Sequence, residues 1–341
     1  MCLSKRRFLD RCLLFALFFT GGVLLLASCQ QGTKQQEQAS GAYQAVDARG
    51  KQISLAKPVE RLVVLFEPMV DEIYMLQAQD CLVGIPEQVY QNASGFSFLS
   101  ALDSRMANKE IATPTFGGRA NNMESIIGLR PDLVIAYEPD QETIAQLEGL
   151  NIPVFAVSSL DKEHIYNELR GVATLLGKQD RAEELISYVD GELDKMQQPA
   201  SGERKKAYYA WSKGRVLSTS GKGSLIDLAM EMAGAENACP LELEAPNVGA
   251  ESLYKWNPDL IILWNSQLDD VYSLKELAAL PAVKNKQVYV LDPTFNFDPH
   301  TIKFMLFAKQ LHQWCYPDDK QGDVKDDVQE ALKVFYPLYK S

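Results

Sequence analysis

The chain has 341 residues, 46% hydrophobic and 23% charged, which excludes a disordered or fibrous protein and leaves room for about two lobes, each with its own core. The formal net charge is -11, and residues 1–28 are themselves basic (Lys5, Arg6, Arg7 and Arg11 against Asp10), so the remainder is more acidic still. That balance argues against binding nucleic acid or an anionic membrane, where affinity comes mostly from Lys and Arg.

Residues 1–28 have the form of an export signal: a basic start, an uncharged apolar run from Cys12, and small residues at its end. The run falls a little short of the roughly 20 residues that span a bilayer comfortably. Leu26-Ala27-Ser28-Cys29 follows, and it resembles the bacterial lipoprotein signal, in which cleavage before the Cys exposes a thiol for acylation. An uncleaved membrane helix is the alternative, and the abrupt polar stretch at residues 30–41 weighs against it. That stretch has almost nothing to bury and reads as a solvated tether. Beyond it stand Cys81, Cys239 and Cys315, without zinc spacing. A Cys239–Cys315 bridge is one option, and burial of all three as small apolar side chains is the expectation.

From Pro58 onward short apolar runs alternate with helical stretches, the pattern of α/β units. Strands are expected at Arg61–Phe66, Cys81–Ile85, Leu133–Tyr137 and Val154–Val157, with helices over Met69–Ala78 and Gln141–Leu150. Residues 161–197 carry no strand pattern. Gly177 suits a helix end there, and Asp180 the cap of the next helix, whose apolar face is Leu185, Ile186, Val189 and Leu193. The α/β texture then resumes, with strands at Lys206–Trp211, Leu260–Trp264 and Val288–Leu291 and helices at Ser224–Ala233, Ser273–Ala279 and Pro299–Cys315. The segment Glu124–Ile135 also matches Glu251–Ile262: each reads Glu-Ser, an aliphatic, four residues, then Pro-Asp-Leu, an aliphatic and Ile. The matched spacing indicates two related lobes, divided as 42–160 and 199–341, with 161–198 as the helical connection and a cleft between.

Those features, with Pro58, Arg61 and the Asp80–Gly84 turn, resemble the substrate-binding proteins of bacterial ABC importers for iron complexes and cobalamin. The resemblance implies two Rossmann-like α/β sandwich lobes joined by one long rigid helix, no intrinsic cofactor, and a transported iron- or cobalt-containing chelate (ferric siderophore, haem or corrinoid) held in the cleft. It implies an ABC permease dimer with a cytoplasmic ATPase as partner, docked through Glu124 and Glu251, and an extracytoplasmic protein anchored through Cys29. At helix starts both glutamates also favour the helix dipole, worth under about 1 kcal/mol each.

In such a fold ligands meet loops at the carboxyl ends of strands. Those loops carry aromatic faces (Phe116, Tyr137, Trp211, Trp264, Phe295, Phe297) suited to a conjugated ligand, and basic groups (Arg119, Lys213, Arg215, Lys222) suited to oxyanions. Glu67, in the first-strand loop, can reject anionic chelates or engage a metal. Asp298-Pro299 reads as a helix start that puts His300 in the first turn near the cleft, where it can meet a metal axially or a ligand oxygen. Tyr90 and Tyr137 are candidate phenolate partners of ferric iron or haem. His164 and His312 fall on helices as structural residues. A receptor for a bare transition-metal ion, using His300, Asp298 and Glu67 or Glu138, is the second reading. An extracytoplasmic enzyme comes third, since no Gly-x-Ser-x-Gly elbow or His-Glu-x-x-His occurs and Ser218–Ser224 only faintly suggests a phosphate loop.

Overall fold

A computed structural model describes residues 43–116, 120–196, 204–211, 213–318 and 323–339, the side chains of 115, 116 and 120 excepted. Within the unit Ala39–Ser341 the described residues contain two all-parallel four-stranded sheets of the same topology. In the first, Leu62–Val64 lies between Leu82–Gly84 and Leu133–Tyr137, with Val154–Val157 outermost. In the second, Lys206–Ala210 lies between Glu236–Asn237 and Leu260–Trp264, with Val288–Leu291 outermost. Each lobe thus runs second strand, first, third, fourth. Helices cover both faces, as parallel sheets require. Alternate residues go to opposite faces: Leu62, Val64, Leu133 and Ile135 enter one apolar cluster, and Val63, Val134 and Ala136 another.

The repeated Pro-Asp-Leu has a physical reason. Asp132 Oδ2 accepts the backbone N–H of Arg61 at 2.9 Å, and the Asp132 N–H donates to the Arg61 carbonyl at 2.8 Å. In the second lobe Asp259 Oδ2 accepts the N–H of Lys206 at 2.8 Å, and the Asp259 N–H donates to the Lys206 carbonyl at 2.8 Å. One side chain therefore sets the register of the first strand against the third in each lobe. Pro ends the preceding helix, and the apolar strand follows.

Between the sheets come two helices, Lys162–Leu176 and Gln179–Lys195. They break at Gly177, whose φ of 69° is the left-handed helix end that glycine adopts without strain. Asp180 lies in the first turn of the second helix, and Lys178 takes the cap position, one correction to the sequence reading. The second helix is the crossing element. Its Arg181 donates to the Met75 carbonyl at 2.9 Å and to the Phe335 carbonyl at 3.0 Å, and Lys309 bonds its Glu192. One apolar cluster runs from Leu62 and Phe155 through Leu185 and Val189 to Ile262 and Phe307, so the lobes share a core.

The hairpin Tyr43–Val46/Gln52–Leu55 and the helix Val324–Phe335 were not anticipated, nor was the short edge strand Glu236–Asn237. A further correction concerns Asp298-Pro299. The helix begins at Phe304, and Asp298 caps a preceding turn: the Thr301 hydroxyl donates to the Asp298 carbonyl and accepts the Lys303 N–H, which diverts the backbone before the helix starts. Cys81, Cys239 and Cys315 are free and buried. No helix among the described residues is long and apolar enough to cross a membrane.

Candidate ligand-binding site

The strand order reverses direction beside the first strand of each sheet, and the loops that leave the strands there open a crevice. In the first lobe these loops carry Glu67 and Tyr137, and in the second Trp211 and Trp264. A cavity of about 250 Å³ lies between them, lined from the first lobe by Tyr137, Ser158, Ser159 and Leu160 and from the second by Tyr209, Trp211, Ser220, Lys222 to Ile226, Glu242 to Glu244 and His300. A smaller cavity of about 40 Å³ is lined by Glu67, Asp71, Asn92, Trp264, Phe295 and Asp298, among others.

Packing holds the aromatic walls. Tyr137 stacks on Phe66 with ring centroids 4.8 Å apart and planes 5° apart. The Trp211 indole N–H donates to the Thr219 carbonyl at 2.9 Å, and the Arg215 guanidinium lies 5.6 Å from the Trp211 ring centre. His300 sits on a polar support: its Nδ1 is 3.2 Å from Asp298 Oδ1, which also accepts its backbone N–H at 3.0 Å. Burial opposes the charged ring, but Asp298, with Glu244 and Glu67 beyond it, holds His300 above its ordinary pKa. Burial is the largest influence on Glu67 as well, and with the nearby carboxylates Asp298 and Asp71 it pushes that acid upward.

Two backbone segments at the cavity are fixed by unusual means. Ser159 has a φ of 48°, and buried Glu168 holds it there by accepting the N–H and hydroxyl groups of both Ser158 and Ser159 at 2.7 to 3.2 Å. Across the cleft the Gly221 N–H donates to the Leu243 carbonyl at 2.9 Å and the Lys222 N–H to the Leu241 carbonyl at 2.7 Å. A Cβ on Gly221 would lie 2.0 Å from the Leu241 oxygen, so only glycine lets the 241–243 loop approach this closely.

Of the residues singled out from sequence, Tyr137, Trp211, Lys222 and His300 line the larger cavity and Glu67, Trp264 and Phe295 the smaller. Arg215 lies over the Trp211 ring and lines neither cavity. Two expectations are corrected. Tyr90 lines neither cavity: its hydroxyl donates to the Ile111 carbonyl at 2.8 Å and its ring packs edge-on against Phe96. Phe297 is a core residue, 5% exposed. Cys29, Arg119 and the Phe116 side chain lie outside the described residues. Glu124 and Glu251 are exposed in the first turns of equivalent helices. Among the described residues no three His, Cys, Asp or Glu side chains are grouped to hold a metal ion, and Glu138 accepts from the Gln141 side chain at 2.9 Å. Sequence reasoning missed Ser158–Leu160 and Glu242–Glu244. The first directly follows the strand Val154–Val157 and was open to the same strand-end rule; the second depends on a loop seat that no local pattern announces.

A family model described as "Periplasmic binding protein" matches residues 62–294. The chain belongs to that family. It is a substrate-binding protein of the ABC-transporter type, not an enzyme, and its family works outside the cytoplasm. This periplasmic binding protein is 22% identical to the uncharacterized ABC transporter substrate-binding lipoprotein YvrC of Bacillus subtilis, over 86% of the chain and 94% of the relative. It is 28% identical to the vitamin B12-binding protein of Salmonella paratyphi A, over 42% of the chain and 54% of that relative. The crystal structure of a periplasmic solute binding protein from Veillonella parvula superposes with a TM-score of 0.73 at 25% identity, over 87% of this chain and 93% of the other.

Proposed function

We propose that the protein captures a small metal chelate (ferric siderophore, haem or corrinoid) and delivers it to an ABC permease dimer driven by a cytoplasmic ATPase. The observation that carries this reading is the aromatic cavity at the strand ends of both lobes, walled by Tyr137, Tyr209 and Trp211. Flat rings on a rigid frame suit a conjugated or macrocyclic ligand better than a bare ion. Acylation of Cys29 would tether the protein to the membrane surface through residues 30–41, with lobes at 42–160 and 199–341 joined through 161–198.

Permease docking would use one patch from each lobe. Glu124 and Glu251 are exposed at matching positions, and each stands one helical turn before an exposed apolar residue, Ile127 at 43% and Tyr254 at 39%. The two helices also end alike, Arg130 and Asn257 having φ of 47° and 48°. Two equivalent patches on one chain fit a partner that presents the same basic surface twice.

Titration of tryptophan fluorescence with haem, cobalamin, ferric siderophores and free metal ions tests the capture step, Trp211 and Trp264 being the reporters. Saturable quenching by a chelate and not by its free metal is expected; a response to bare ions alone would refute it. The double variant Glu124→Arg/Glu251→Arg is expected to cut chelate uptake by cells about tenfold or more while leaving chelate affinity in solution unchanged. Undiminished uptake would refute the docking role.

A further inference from the structure

Donors and acceptors are unevenly offered at the larger cavity. On the first-lobe wall Ser158 and Ser159 turn their N–H groups and hydroxyl hydrogens inward to Glu168, so each hydroxyl keeps only its lone pairs for a cargo. On the second-lobe wall the Ser224 hydroxyl donates to the Gly221 carbonyl at 2.7 Å, and the Trp211 indole N–H is engaged by the Thr219 carbonyl. The start of the helix Leu225–Met232 also lines the cavity, through Gly223 and Ser224, and a helix start is where an anionic group of a cargo would ordinarily bind. The protein's own Asp227 already fills that place, accepting the Gly223 N–H at 2.9 Å with the Lys222 ammonium 3.4 Å away. His300 is likewise met by Asp298 at 3.2 Å. Glu242 and Glu244 then bring carboxylates, which only accept when ionised, to the same cavity.

We infer that this cavity selects its cargo by the groups on the carrier's edge: a chelate edged with uncharged N–H or O–H donors, such as primary amides, is accepted, and one edged with carboxylates is rejected. A carboxylate placed there meets lone pairs and like charge, whereas an amide N–H finds acceptors on both walls. This rests on the capture reading above and narrows it to the edge chemistry of the carrier, whatever its metal.

The test uses the full chain purified in detergent and matched pairs of chelates that share metal and ring and differ at the edge. One pair is cobinamide and cobyrinic acid, the same corrin ring edged with carboxylates. The other is ferric haem and ferric haem with both propionates converted to amides. Tryptophan quenching near pH 7 is expected to show the amide form binding at least about tenfold more tightly than the carboxylate form. Asp227→Asn, which vacates the helix start of its charge, and Glu242→Gln/Glu244→Gln, both on an exposed loop, should each raise the affinity for the carboxylate form about threefold or more. A gain of binding is something a misfolded variant could not show. A carboxylate form that binds as tightly as its amide form in either pair, or an unchanged affinity for the carboxylate form in both variants, would overturn the inference and leave the capture reading standing. No quenching by any of the chelates would overturn the capture reading, and this inference with it.

Discussion

The two lobes share strand order, the Pro-Asp-Leu clasp and a helix after the first strand, yet that helix uses its buried acids in opposite ways. In the first lobe it is Glu67–Met75, and Asp71 on it faces outward from its own lobe: it pairs with Lys303 at 2.7 Å and accepts from the Tyr336 hydroxyl, both late in the chain. In the second lobe it is Leu225–Met232, and Asp227 on it stays local, accepting the Gly223 N–H at 2.9 Å with Lys222 at 3.4 Å. A duplicated scaffold thus spends one acid on joining the lobes and the other on shaping a ligand loop. Symmetry set the frame, and each copy's side chains divided the labour.

The strongest way to break that comparison is at the joint. Lys303 is fully buried, and besides Asp71 its ammonium bonds the Phe295 carbonyl and lies 3.4 Å from the centre of the Phe295 ring. Lys303→Met would leave Asp71 buried without its cation, and a loss of about 3–5 kcal/mol is expected in urea unfolding. The double variant Asp71→Asn/Lys303→Met should recover much of that, because the uncompensated charge is gone. A loss under about 1 kcal/mol in the single variant would show that the pair does not join the lobes.

The second lobe offers a smaller and more local break. Gly221→Ala would force the Leu241 and Leu243 carbonyls away from a built Cβ 2.0 and 2.6 Å distant. Overpacking of this kind costs about 1–3 kcal/mol, and here the loop that carries Glu242–Glu244 bears it. Chelate affinity should therefore fall more than stability does, as read by fluorescence titration beside thermal unfolding. Equal affinity in the variant would remove the loop from the binding site.

How much of this was legible follows from what is local. The strands Leu133–Tyr137, Val154–Val157, Leu260–Trp264 and Val288–Leu291 coincide with their apolar runs, because a parallel strand buried on both faces must be continuous in apolar residues. Tyr137, Trp211, Lys222 and His300, singled out by the strand-end rule, line the larger of the two cavities. Tyr90 misled because an aromatic near a strand end can equally complete a core. The Asp71–Lys303 pair and the seat of the 241–243 loop join residues far apart in sequence, and neither a period nor a motif marks them.

The mildest test concerns Glu72, the neighbour of Asp71, which has no counterpart of its kind in the comparison above. It is 1% exposed, and its Oε1 has no hydrogen-bond partner among the described residues. Burial first, then the charges of Glu168 and Asp71, push its pKa well above the ordinary 4.5. A folded-state acid raised in this way binds its proton more tightly than the unfolded chain does, so stability falls as pH rises from the unfolded value toward the folded one. Its contribution is fully present below about pH 4.5 and is lost above it. Glu72→Gln keeps the shape and removes the titration, so the variant should match the wild type in melting temperature at about pH 4 and exceed it by a few degrees near pH 7. If the two proteins differ by the same amount at both pH values, folding does not raise the Glu72 pKa and Glu72 is ionised in the folded protein near pH 7. The result would then show whether the first lobe's helix meets the second with one charged acid or two.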